Sequence, residues 1–311
     1  MGGLEERCEG MSWKEFMVNV PASTANLGPG FDSIGLALDL HLSILVSPSS
    51  HWTVEYKNVG YQKLSNGLDN LIIATAHDVA KRFNRQLPAA KLMVESDIPL
   101  SRGLGSSAAA IASGIEIADR LLGLELPLKD KVEIGSQMEG HPDNVSASFY
   151  GGLTISYYDG EVLEGIHVEK VGIGIIIMVP PIEFLTTESR GLLPEILEHS
   201  VATRGSAASN VLVAALVQGD WKTAGRMMGK DTFHEPFRKN KFPDFDVIRE
   251  SCLEMGAYGS AISGAGPSLF IVVKKGQENQ FGMQLRKKFP HYECLVTKPA
   301  SVGVKFTEMV I

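Results

Sequence analysis

Two glycines and two serines fall within Gly103–Ser107, inside the stretch PLSRGLGSSAAA that runs from Pro99 to Ala110. Gly103 and Gly105 adopt backbone angles other residues resist and let the main chain approach a ligand closely. Ser106 and Ser107 suit the N-cap or first turn of the helix that the alanines begin. The free N–H groups and dipole at such a helix start favour an anion. Arg102 adds a positive charge at its mouth, and phosphate is the leading ligand. A P-loop is excluded, because the lysine of GxxxxGK[ST] is missing. Gly103-x-Gly105-x-x-Ala108 formally matches a dinucleotide fingerprint. That motif directly follows a strand, whereas here Pro99 and its neighbours intervene, and LLGLELP (121–127) is a poor second strand. Taken by itself, the loop is also compatible with a helix cap that holds no ligand.

Two further loops change the balance. PASTANLGPGFDSIGLAL, from Pro21 to Leu38, places Asn26 and Asp32 around a glycine-rich turn. An amide that both donates and accepts, beside a carboxylate, suits a hydroxyl or ammonium group. SGAGPS, from Ser263 to Ser268, precedes an apolar run, Leu269 to Val273, and its glycines let backbone line a pocket. PASTANLGPGFD, PLSRGLGSSAAA and SGAGPS resemble, in order, the three motifs of the GHMP kinases, and the resemblance covers nearly the whole chain from about Trp13. The NLGPGFD form and the turn EGHPDN (139–144) are similar to the branch of that family that phosphorylates L-homoserine.

The resemblance implies an ATP-dependent kinase with an α+β, two-domain GHMP fold: mixed and antiparallel sheets, helices packed on them, and the active site in the cleft between domains. Pro99, Leu100, Ser101, Arg102, Gly103, Leu104, Gly105, Ser106, Ser107 and Ala108 would form the nucleotide loop, with Asn70 near the base. Ser106 or Ser107 would reach Mg²⁺ or a phosphate oxygen. Glu139, or less simply Glu133, would supply the carboxylate ligand, since Mg²⁺ favours hard oxygen donors. L-Homoserine is the implied substrate. Asn26 and Asp32 match its amino and hydroxyl end. Arg190 and Arg238 match its carboxylate, which a guanidinium can bind bidentately. Thr187, His141 and Asp143 are neighbours of that site. Asn144 stands where mevalonate kinases carry a catalytic aspartate, and an amide cannot take a proton from the hydroxyl. Asn144 and Asp32 would then orient the hydroxyl while phosphate oxygens or water take the proton. Asp32 or Asp143 as general base stays open.

Elements must carry these loops. Strands are expected at 16–20, 42–46, 52–56, 91–96 and 151–158, and helices at 71–85, 106–122 and 128–139, with GHPDN as a turn. A β-rich stretch at 168–179 opens a second block, with helices at 192–199, 207–218, 221–228, 245–256 and 277–289 and strands near 259–273 and 292–297. The expected organisation is a loose tail (1–12), an ATP-binding domain (13–165) and a second domain (166–311). Ile111, Ile115 and Leu122 are expected core positions, as are VGIGIIIMV (171–179) and the 207–218 helix.

With 44% hydrophobic and 21% charged residues the 311-residue chain is globular, and a net charge of −7 gives nucleic acid no basic face. VGIGIIIMV is too brief to span a bilayer. Met1 to Gly10 has no apolar core and is not a secretory leader; it could precede a second start at Met11. Cys8, Cys252 and Cys294 are odd in number and widely spaced, which suits reduced thiols and a cytoplasmic location. Helices of the second block could supply a homodimer face.

Overall fold

The computed structural model describes residues 13–309; the expected tail, with Met11 and Cys8, lies outside the described residues. The chain runs β1 (Phe16–Ala25), β2 (Ile34–Pro48), β3 (Thr53–Tyr56), α1 (Leu71–Arg82), β4 (Ala90–Ser96), α2 (Ser106–Leu122), α3 (Leu128–Glu139), α4 (Asp143–Tyr150), β5 (Leu153–Tyr158) and β6 (Leu163–Val168). It continues with β7 (Ile173–Val179), α5 (Thr186–Arg190), α6 (His199–Gln218), α7 (Trp221–Met228), α8 (Glu235–Arg238), α9 (Phe245–Glu254), β8 (Gly259–Ile262), β9 (Leu269–Lys274), α10 (Glu278–Lys288), β10 (Glu293–Thr297) and β11 (Lys305–Glu308).

Seven strands form a mixed sheet, β11-β1-β2-β4-β3, in which β5 also pairs with β2 and carries β6. Only β3 and β4 run parallel there. The second sheet, β10-β7-β9-β8, is antiparallel. This is the expected α+β arrangement of sheets with helices packed on them. The expected division at 165/166 falls within β6, and β11 returns to pair with β1, so the end of the chain completes the first sheet.

The run VGIGIIIMV reads as β7 because it is buried on both faces. Ile175 and Ile177 face the core that contains β1, β2 and α2, whereas Ile176 and Met178 face a second core under α9 and α10. α2 is buried on nearly every side. Ile111 and Ile115 pack as expected, each such side chain worth about 1.5–3 kcal/mol. Glu116 and Asp119 of α2 are buried beside Lys131 of α3, with Nζ 2.6 Å from each carboxylate. These pairs join α2 to α3 through the middle of the helix.

Four local expectations fail. Leu122, expected in the core, is only half-buried at the end of α2. The helix expected at 192–199 is absent and the segment before His199 is irregular. Pro194 lacks an N–H and biases Leu193 away from helical angles. α6 instead starts at His199 and absorbs the helix expected at 207–218. It packs by one face, through Ala208, Leu212, Ala215 and Leu216, with Val211 and Val217 exposed. By length and composition it is, among the described residues, the one helix long and apolar enough to cross a membrane, and 28% of that window is buried. Finally, the turn after Glu139 continues into α4, eight residues too short to declare a period.

The three glycine-bearing loops meet. The first joins β1 to β2, the second leads into α2, and the third joins β8 to β9. Ser263 Oγ donates to the Gly103 carbonyl at 2.7 Å and lies 2.8 Å from Thr24 Oγ1. Gly264 N donates to Ala25 O, and Ser23 N to Leu104 O, each at 3.2 Å. Gly103 has φ of +72°, and a Cβ there would overlap the Ser263 carbonyl. Gly103→Ala should therefore lower stability by about 1–3 kcal/mol in urea unfolding. An unchanged midpoint would show that the second and third loops are not in obligatory contact.

Candidate active site

Gly105, with φ of +68°, is the N-cap of α2, so Ser106, Ser107 and Ala108 form its first turn. N–H groups in a first turn have no intrahelical acceptor and point out of the helix. Ser107 Oγ donates to Glu139 Oε2 at 3.0 Å, which brings the end of α3 against the start of α2. Burial raises the Glu139 carboxyl above its ordinary value, with His141 opposing the shift. A desolvated carboxylate beside a hydroxyl, both hard oxygen donors, fits a small divalent cation.

The cleft beyond this loop is lined by Asn26, Phe31, Asp32, Gly103 to Ser107, Glu139, His141, Asp143, Asn144, Arg190, Arg238 and Gly264. Most of the expected site residues are thus gathered in one cavity. Asp32, His141 and Asp143 place one ligand atom each within 4.8 Å of one another. Asp143 Oδ1 lies 2.6 Å from His141 Nδ1 and accepts from the Asn144 N–H at 2.7 Å. Asn144 Oδ1 in turn accepts from Ser23 Oγ at 2.9 Å, which ties α4 to the first loop. Arg190 makes a two-pronged pair with Asp32, at 2.7 and 3.1 Å.

Arg238 differs. It is 2% exposed, yet among the described residues it has no carboxylate partner at salt-bridge distance. Its guanidinium contacts the Ser189 and Gly264 carbonyls and His234 Nδ1, and lies over the Phe31 ring at 5.4 Å. Burial and then the nearby Arg190 charge lower its pKa to about 10. A buried cation of this kind calls for an anionic ligand.

Some expected residues sit differently. Asn26 lines the cleft, but its amide already bridges two loops: Nδ2 donates to Gly264 O and Oδ1 accepts from Asp32 N, both at 3.0 Å. Asn70 lines an adjacent cavity of about 380 Å³ with Tyr56, Tyr61, Ser101, Ser106 and Ser107. Its side chain caps α1 through Ile72 N and donates to Ser65 O, so it shapes that cavity. Pro99 and Arg102 line a separate groove, where Arg102 Nη1 lies 3.9 Å from Glu183, while Leu100 borders both that groove and the cavity beside Asn70. Ala108 is fully buried. Thr186 rather than Thr187 lines the cleft. Gly264 and Ala265 of SGAGPS line the cleft, as expected of that loop's backbone. Phe31 and His234 are not among the expected residues, and their signals are visible only once their partners are known.

A cleft with a glycine loop at a helix start on one side and paired charges on the other suits a small-molecule phosphotransferase. Residues 70–152 match the family model for the GHMP kinases N terminal domain, and residues 212–291 match GHMP kinases C terminal. The chain belongs to the GHMP kinase family. It is 44% identical over 291 residues to a homoserine kinase of Halalkalibacterium halodurans, covering 93% of this chain and 94% of that one. It is 42% identical to a homoserine kinase of Bacillus licheniformis, covering 93% and 95%. A crystal structure of homoserine kinase from Cytophaga hutchinsonii superposes with a TM-score of 0.84 at 26% identity, covering 96% of this chain and 99% of that one.

His141 gives a pH signature. Burial is the largest single influence and opposes its charge, but the carboxylates of Asp143, Glu139 and Asp32 together outweigh it and raise its pKa above the ordinary histidine value. The native form then binds the proton more tightly than the unfolded chain. Its stabilisation is complete below the unfolded value, about 6.5, and is lost as pH rises through the native one. The stability difference between the wild type and His141→Gln, from urea unfolding, should shrink from pH 6 to pH 9. A difference that grows over that range contradicts the pairing.

Proposed function

We propose that this protein is a homoserine kinase, transferring the γ-phosphoryl group of ATP to the side-chain hydroxyl of L-homoserine to give O-phospho-L-homoserine, a step toward threonine. The observation that carries the substrate choice is Arg238, a buried guanidinium with no acid at salt-bridge distance among the described residues, in the same cleft as Asp32 and the glycine loop. A zwitterion supplies the missing anion to Arg238 and an ammonium to the acidic cluster of Asp32 and Asp143. The relatives at 42–44% identity support the same assignment.

Phosphoryl transfer asks a protein mainly for positioning and charge stabilisation. Backbone N–H groups from Gly103 to Ser107 hold the polyphosphate at the positive end of α2. The cavity beside Asn70 takes the nucleoside, its volume being within the range of small-molecule pockets. Ser107 and Glu139 hold Mg²⁺, which when bound neutralises charge on the transferring phosphate. Arg190, displaced from or shared with Asp32, adds positive charge on the acceptor side. Asp32 and Asn144 orient the hydroxyl, and phosphate oxygens or water take its proton. Cys252 and Cys294 are buried free thiols, and burial pushes Cys252 up to about 12, which leaves it unreactive and suits a reducing cytoplasm.

An ADP-release assay with L-homoserine, mevalonate, galactose and shikimate tests the assignment. Homoserine should be turned over fastest; equal or better turnover of a substrate that is not an amino acid rejects it. Glu139→Gln should lower kcat about 10²-fold or more and raise the Mg²⁺ needed for half-maximal rate. An unchanged Mg²⁺ dependence removes Glu139 from the metal site. Asp32→Asn should keep kcat within about 10²-fold of wild type, because a true general base contributes about 10²–10⁴-fold. A larger loss, with folding and homoserine binding intact, makes Asp32 the base.

A further inference from the structure

The Arg238 guanidinium is held by two backbone carbonyls and one side chain, the imidazole of His234. Its carbonyl contacts are long, 3.5 Å to Ser189 O and 3.3 Å to Gly264 O. We propose that His234 is the positioning residue that sets Arg238, through one fixed imidazole tautomer, and thereby gives the site its preference for an acceptor bearing a carboxylate. The proposal rests on the substrate assignment above.

The tautomer follows from the partners. His234 is fully buried at the N-cap of α8. Its Nε2 lies 3.0 Å from the Gly28 carbonyl, which can only accept, so Nε2 carries the proton. Asp231 Oδ2, 3.3 Å from Nε2, favours the same arrangement. Nδ1 is therefore the acceptor, and Arg238 Nη1, which can only donate, lies 3.2 Å from it. The imidazole stacks on Phe31, with centroids 5.3 Å apart and planes 24° apart, and that ring also underlies the Arg238 guanidinium. A second proton on the imidazole would remove the acceptor and set two cations together. Burial keeps His234 below its usual pKa, with Asp231 opposing and Arg238 reinforcing the shift. The charged groups facing the ring are Asp231 from its own loop, Arg238 from α8 and Asp32 from the first glycine loop. His234 is thus the link between the carbonyl of Gly28, in the first glycine loop, and the residue that reads the substrate.

Asparagine offers an acceptor near the Nδ1 position, and glutamine offers a donor near Nε2 but no atom at Nδ1. Steady-state kinetics on His234→Gln and His234→Asn, with L-homoserine and with 3-aminopropan-1-ol, which lacks the carboxylate, separate the two functions. For His234→Gln the homoserine KM should rise at least tenfold while the ATP KM stays within twofold. Its kcat/KM preference for homoserine over aminopropanol should fall by the same factor. His234→Asn should hold that preference within threefold of wild type. A homoserine KM within twofold of wild type in His234→Gln, or parallel losses for homoserine, aminopropanol and ATP, overturns the proposal. If His234→Gln does not fold, His234→Asn decides alone, and a tenfold loss of preference with an unchanged ATP KM overturns it. Wild-type protein that fails to phosphorylate homoserine overturns the substrate assignment itself; wild-type turnover with an unaltered His234→Gln overturns only the role of His234.

Discussion

The interlock of three glycine-bearing loops is the constraint on which the site depends. Each loop ends or begins a buried element: the β1–β2 connection, the start of α2, and the β8–β9 connection. They touch through main-chain groups and two short polar side chains. Ser263 Oγ bonds the Gly103 carbonyl, Gly264 N bonds Ala25 O, and Asn26 joins Asp32 N to Gly264 O. Backbones this close leave no room for a Cβ, which is why glycine recurs where α2 begins. The two sheets therefore cannot move apart without breaking the floor of the cleft.

Charge in the cleft is arranged in two unlike states. Asp32 and Arg190 satisfy each other, while Arg238 is buried without an acid and leans on carbonyls, a histidine and an aromatic face. Removing such a cation from water is unfavourable by several kcal/mol unless a partner restores the interaction. The Asp32 carboxylate has its countercharge within the chain, whereas among the described residues the Arg238 guanidinium has none at salt-bridge distance. The same economy of contacts holds at the other end, where the first turn of α2 exposes N–H groups that only a ligand or water can use.

Residues whose type carries the chemistry were legible in the sequence. Two glycines and two serines before an alanine-rich helix suit an anion, and that loop lines one cleft with Asp32, Glu139, His141, Asp143, Asn144, Arg190 and Arg238. What a sequence does not give is the partner. Asn26 and Asn70 have amides suited to a ligand, but each is engaged by the chain's own backbone. His234 lies four residues before Arg238, a spacing that signifies nothing until Gly28 is seen at its other nitrogen. β11 is four residues long with no buried position, so its pairing with β1 has no periodic trace. α4 is missed for the same reason of length, and Pro194 stands at the start of the 192–199 helix that composition alone suggests and the structure lacks.

A crystal structure of the protein with a non-hydrolysable ATP analogue, Mg²⁺ and L-homoserine measures the central claim directly. The account places the phosphates against the backbone of Gly103 to Ser107, the homoserine carboxylate on Arg238, and the hydroxyl oxygen between Asp32 and the terminal phosphate. Nucleotide bound away from Gly105, or a homoserine carboxylate with no contact to Arg238, contradicts it.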